Sequence, residues 1–179
     1  MLAWHVDYWD RLGWKDTFSS TRATQRQRAY RKALGMKRIG TPFFYVGNRR
    51  FRMRDVAAIV DKECRFAPRV NIELGVKTES GKAKVSAKLG SDWPVRKEAH
   101  VFAVLFTKRA TTKVTKGENW GKTLKEFYVV LAASKPLPYG ATYTHEFTLP
   151  KDAKDLSVAL LVENPKTMKT LACAQADVR

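Results

Sequence analysis

One histidine, three aspartates and three large aromatic residues crowd the stretch HVDYWDRLGWKD, residues 5–16. His5 and Asp7 are residue types that hold protons or orient a polar substrate. Trp9 and Trp14 can supply a stacking rim. A second reading needs no chemistry. In an extended segment, Trp4, Val6 and Tyr8 share one face, while His5, Asp7 and Trp9 share the other. Asp10 and Asp16 would then serve a loop, where aspartate bonds to nearby backbone. Spacing leaves both readings open.

The remaining reactive residues are scattered. Cys64 and Cys173 fit neither a disulfide framework nor a zinc-ligand spacing. Free cysteines are among the most buried residue types. Cys64 is therefore expected on the inner side of a helix with Val56, Ile59 and Val60, and Cys173, in LACAQA, in a strand core. His100 and His145 stand isolated within strand patterns and read as structural. KGENWGKTL, residues 116–124, reads as a structured turn, with Gly117 and Gly121 opening backbone conformations closed to other residues. Its tip carries Glu118, Asn119 and Trp120. Spacing gives no metal-ligand set, serine elbow or phosphate-cradling loop, and no cofactor is expected.

These residues need elements to position them. MLAWHVDYW reads as a strand and DRLGWKDTF as a loop. Ser20 caps a helix over about Thr21 to Leu34, with Gly35 just past its end. Ala23, Tyr30 and Leu34 form its narrow inner stripe, and Arg22, Arg26, Arg28, Arg31 and Lys32 spread around the rest. TPFFYVGNRRFRM reads as a hairpin turning at Gly47-Asn48. Asp55 caps a further helix, VAAIVDKECRF. From there the pattern is almost all strands: VNIELGVKT, KAKVSAKLG, AHVFAVLFT, EFYVVLAA, TYTHEFTLP, LSVALLVEN and TLACAQADV. Seven short strands punctuated by turn residues suggest an antiparallel β-sandwich.

Composition breaks at the same place. Residues 1–68 hold 11 Arg and 4 Lys, and residues 69–179 hold 4 Arg and 15 Lys. Two domains, 1–68 and 69–179, are expected. The net charge of +17 predicts attraction to polyanions. It divides almost evenly, +9 from 15 basic and 6 acidic residues in the first part, +8 from 19 and 11 in the second. RRFRMR, residues 49–54, is the densest cluster. No segment approaches the ~20 apolar residues of a membrane-spanning helix. The opening MLAWHVD lacks the basic leader and apolar run of a signal peptide.

The order strand, loop, helix, GTP, hairpin, helix resembles the second half of a thioredoxin-like fold. More closely, HVDYWDRLGWKD, RQRAY with ALG following, TPFFYVGNR and GENWGKTL resemble, in order, the motifs of a family of secreted bacterial proteins, domain-of-unknown-function family twelve twenty-three. The resemblance spans essentially the whole chain. It implies an α/β plus β fold: a truncated thioredoxin-like domain followed by an antiparallel β-sandwich domain. Such members carry an earlier strand and helix with a Cys-x-x-Cys pair, and a secretion signal before that. The resemblance therefore implies a periplasmic or secreted protein. It also suggests that Met1 is an internal methionine or that the gene is truncated, leaving the strand of Leu2 to Tyr8 at an open edge with its aromatics facing a gap.

On that resemblance Thr41-Pro42 is a cis-proline loop, able to pair with an extended peptide. His5, Asp7, Trp9 and Trp14 become a polar and aromatic rim around the missing cysteine pair. Two functions are in view: thiol–disulfide exchange by a complete protein, through a cysteine pair this sequence does not contain, or a non-catalytic basic module for an anionic polymer or protein partner.

Overall fold

A computed structural model describes residues 1–47, 49–64, 70–90, 96–152 and 154–179. The chain is mostly sheet. Two α-helices, α1 (Thr21–Ala33) and α2 (Val56–Cys64), flank a short hairpin of β1 (Phe44–Val46) and β2 (Arg49–Phe51). Then follow β3 (Ile72–Glu79), β4 (Lys82–Leu89), β5 (His100–Lys113), β6 (Thr123–Ala133), β7 (Leu137–Pro138), β8 (Thr142–Thr148), β9 (Leu156–Glu163) and β10 (Thr170–Asp177). All seven expected strands of the second part are present.

Every strand pair is antiparallel. One sheet runs β10-β9-β5-β6, with β7 also on β5, and another runs β3-β4-β8. The alternation in KAKVSAKL shows which face of β4 is wet: Ala83, Val85, Ala87 and Leu89 are buried, and the lysines point out. These residues meet Val101, Ala103 and Leu105 of β5, Tyr143 and Phe147 of β8, and Val158, Leu160 and Val162 of β9 in one core.

β5 and β9 do not alternate. Their continuous apolar runs are buried on both faces. The outer face holds Phe102, Val104, Val130 and Leu161, with Ala133 of β6 beside them, and its cover is Leu2 and Trp4. Burying a side chain of this size stabilises by about 1.5–3 kcal/mol. Here the structure corrects the expected first strand. Residues 1–9 make only two isolated bridges, Ala3 to Val129 and Val6 to Ser20, both parallel. The Ala3 amide donates to Tyr128 O (2.8 Å), and its carbonyl accepts from the Val130 amide (3.0 Å). The segment therefore lies along β6, and Trp4 faces a packed surface instead of a gap.

α1 forms as expected. The Ser20 hydroxyl accepts from the Ala23 amide (3.2 Å), and Gly35 takes φ +61° just beyond the end. Its inner face is more polar than the stripe of Ala23, Tyr30 and Leu34 implied, since Thr24 and Gln27 are also buried. Arg22 and Arg26 are corrected too, because both reach the sheet. Arg22 donates to the carbonyls of Ala133 and Ser134. Arg26 forms a two-pronged ion pair with Glu163 at the end of β9 and lies over the rings of Trp4, Tyr30 and Phe102. Glu163 is 4% exposed.

Other expectations divide. The hairpin forms, with Val46 opposite Arg49, and Asn48 of its expected turn lies outside the described residues. Asp55 ends a short 3-10 turn, Met53–Asp55, that runs directly into α2. Val56 and Ile59 are partly buried, but Val60 is exposed, so the inner stripe of α2 is narrower than expected. Cys173 is exposed, because Ala172 and not Cys173 falls on the core side of β10. The Cys64 side chain and the boundary at Pro68 lie outside the described residues.

The Arg26–Glu163 pair yields a prediction. Removing one partner of a buried pair leaves an uncompensated charge and costs about 3–5 kcal/mol. Glu163→Ala is expected to lower the urea-unfolding free energy by that order, and Arg26→Met with Glu163→Leu together by much less. A single-variant loss below about 1 kcal/mol, the range of an exposed pair, would contradict the clamp.

Candidate functional site

The segment 5–16 is held by its own polar residues. Asp7 reaches the start of α1, where Oδ2 accepts from Thr21 Oγ1 (2.6 Å) and Oδ1 from Thr24 Oγ1 (2.5 Å). Thr24 Oγ1 in turn accepts from the Asp7 amide (3.1 Å). A carboxylate at a helix N-terminus also meets the favourable end of the helix dipole. The bonds from Thr21 and Thr24 hold the Asp7 carboxyl below its ordinary pKa. Asp10 accepts from Ser19 Oγ (2.7 Å) and from the Asp16 amide (3.3 Å), closing the loop. Gly13, at φ +99°, ends its 3-10 turn Asp10–Leu12.

His5 and Asp16 meet at 2.6 Å, Nδ1 to Oδ2, and Asp16 Oδ1 accepts from the Phe18 amide (2.9 Å). The hydrogen bond to Asp16 raises the imidazole pKa, burial opposes it, and the charges of Asp16 and Glu126 add to the rise. Burial pushes the Asp16 carboxyl up, but the bonds from His5 and the Phe18 amide leave it below its ordinary value.

Trp9 is placed differently. Its ring is exposed, and its Nε1 donates to Thr41 Oγ1 (2.9 Å), beside a cis Thr41–Pro42 peptide bond. The neighbouring Tyr8 hydroxyl donates to Gln27 Oε1 (3.0 Å), and Gln27 Nε2 donates to Gly40 O (2.7 Å). A buried glutamine on α1 thus ties the aromatic segment to the stretch entering the proline loop. Beyond Pro42, Arg50 of β2 lies over the Phe43 ring, 3.9 Å from its centroid. Arg49, Arg50, Arg52 and Arg54 are all exposed. Trp9 is thus joined to Thr41, and Arg50 lies over the ring that follows Pro42.

Of the six expected site residues, the structure brings Trp9, Thr41 and Pro42 together. His5 and Asp7 are engaged with Asp16 and with the two threonines. Trp14 packs elsewhere, against the turn at Gly117. Gly117 has φ +76°, and a Cβ there would lie 3.3 Å from both Leu12 O and Trp14 Cβ. The GENWG turn therefore presses on the HVDYWDRLGWKD loop, while Trp120 at its tip is 74% exposed. Gln27 and Arg50 were not singled out by sequence. A glutamine on a helix face and one arginine among many carry no local signal of what they touch.

Two outcomes follow. Gly117→Ala combines a strained φ with a close approach, and a loss of about 1–3 kcal/mol in chemical denaturation is expected. An unchanged midpoint would mean the two motifs do not press together. The His5 pKa is raised by folding, so its contribution is full below the unfolded value of ~6.5 and is lost as pH rises through the folded value. The denaturation midpoint in metal-free buffer should show that decline, and His5→Gln should remove it. The same decline in the variant would assign it to another group.

Comparison with known proteins places this geometry. The family model described as "Protein of unknown function (DUF1223)" matches residues 1–163. A crystal structure of a protein from Agrobacterium tumefaciens is 23% identical, with a TM-score of 0.64 over 99% of this chain and 78% of that one. HBP35 of Porphyromonas gingivalis is 19% identical, with a TM-score of 0.61 over 88% of this chain and 58% of that one. Among curated proteins no sequence match is found. The likenesses to solved structures establish a shared fold, and the family match, spanning most of the sequence and every motif quoted from it, establishes that the chain belongs to the DUF1223 family.

Proposed function

We propose that this chain is a binding module for an extended, acidic polypeptide segment, received at the proline loop. The observation that carries it is the exposed Trp9 indole bonded to the exposed Thr41, with the exposed Arg50 over the neighbouring Phe43 ring. Thr41 and Pro42 are exposed, where an extended strand can reach them. Trp9 supplies a flat apolar platform. The arginines supply charge-assisted hydrogen bonds to carboxylates. In this reading residues 1–68 are part of a thioredoxin-like domain and residues 69–179 a β-sandwich domain, and the complete protein is extracytoplasmic.

Thiol–disulfide exchange is the other reading. It rests on the cis-proline loop alone. The chemistry needs an activated thiolate beside that loop. The two cysteines of this sequence are Cys64, which ends α2, and Cys173, exposed on β10. This 179-residue chain is expected to show no disulfide-reductase turnover above free thiol. Turnover lost on Cys64→Ser would restore the redox reading.

The binding reading is tested with a fluorescein-labelled unfolded acidic polypeptide, reduced and carboxymethylated α-lactalbumin. Binding is expected to weaken about tenfold, or ~1.4 kcal/mol, in Trp9→Ala and again in Arg50→Glu. It should also weaken with added salt. Binding that falls with salt yet ignores Trp9→Ala would assign it to the general basic surface. Absence of binding would remove the proposal.

A further inference from the structure

Two carboxylates face one imidazole where the N-terminal segment meets β6. Asp16 Oδ2 lies 2.6 Å from His5 Nδ1. On the other side of the ring, Glu126 Oε1 lies 3.9 Å from Nε2, and the second Glu126 oxygen accepts from Thr112 Oγ1 (2.6 Å). The three side chains are largely covered, at 19%, 23% and 14% exposure for His5, Asp16 and Glu126. Ligand atoms of all three fall within 4.8 Å of one another. Phe18 closes one side, its ring edge-on to His5 at 5.8 Å.

Charge makes this place unusual. The chain carries +17, yet among the described residues no lysine or arginine forms an ion pair with Asp16 or Glu126. A half-buried pair of carboxylates is costly without a compensating positive charge. A single imidazole is their shared partner.

We propose that this cluster binds a first-row divalent cation, with Zn²⁺ best matched to its ligand types. His5 Nε2 and Glu126 Oε1 are the ligands. At 3.9 Å they are too far apart for a direct hydrogen bond, and an ion about 2.0–2.2 Å from each bridges them once the two side chains draw together by about half an ångström to tetrahedral spacing. Asp16 is the positioning residue. It accepts from Nδ1–H, which fixes the tautomer and leaves the Nε2 lone pair toward Glu126, the carboxylate–histidine–metal arrangement. Thr112 does the same for the glutamate by holding its other oxygen. Solvent completes the coordination shell. The bound ion would tie the segment 5–16 to β6, beside the aromatic residues that reach the proline loop.

The test is calorimetric titration of the chelator-treated full chain with ZnCl₂, in a Cys64→Ser, Cys173→Ser background that removes thiolate ligands. One saturable equivalent is expected. His5→Gln should abolish it, and Glu126→Gln should weaken it at least tenfold while keeping the Thr112 hydrogen bond. Asp16→Asn should weaken it by roughly 10–100-fold, the usual effect of losing an outer-shell partner. Co²⁺ in place of Zn²⁺ should give a visible spectrum of nitrogen and oxygen ligation. Circular dichroism shows which variants fold, and if His5→Gln does not, Glu126→Gln decides. No saturable binding, or binding unchanged in the folded variants, would overturn the site and leave His5 as a structural link between the two carboxylates.

Discussion

Two strands, β5 and β9, are apolar on both faces, and much of the molecule is arranged to cover the second face. One face is closed by the sheet β3-β4-β8. The other would expose Phe102, Val104, Val130 and Leu161 to water, and Leu2 and Trp4 lie over them. Apolar burial has no direction of its own. The polar links supply it: backbone bonds from Ala3 to β6, the Arg26–Glu163 pair and the Arg22 bonds to Ala133 and Ser134 fix where the cover sits. Arg26 serves both roles, since its guanidinium lies over Trp4 and Phe102 while it pairs with Glu163.

The candidate site inherits its geometry from that docking. Once Trp4 is seated, the chain continues through His5, Asp7 and Tyr8, each tied to a different neighbour: Asp16, the start of α1, and Gln27. Few degrees of freedom then remain for Trp9, which is placed on Thr41. Preorganisation of this kind lowers the entropy cost of binding, because the platform is fixed before a partner arrives. The dense polar motif is thus largely the frame, and the exposed tryptophan and proline loop are what the frame presents.

Local features were legible in the sequence where a local rule governs them. Ser20 and Gly35 mark the ends of α1, the GN pair marks the hairpin, and alternation in KAKVSAKL marks a half-exposed strand. The run in HVFAVLF was read as a strand, and its burial on both faces is a finding of the structure. Long-range pairings left no such trace. Glu163 ends a strand and Arg26 sits on a helix 137 residues away. Asp16 and Glu126 share a histidine although neither neighbours it in sequence. Cys173 was misplaced because LACAQA reads equally well in either register, and the β10–β9 register shift between Thr170 and Ala172 decides the face.

The central claim is that the surface of Trp9, Thr41, Pro42 and Arg50 receives an extended acidic chain. Its most direct test is an NMR titration of isotope-labelled protein with the unfolded acidic polypeptide. The account predicts shifts at the Trp9 indole N–H, at the Thr41 and Phe43 amides and at the Arg50 side chain, with the lysine-bearing face of β4 unmoved. Shifts concentrated on Lys82, Lys84 and Lys88, with the Trp9 indole unchanged, would contradict it.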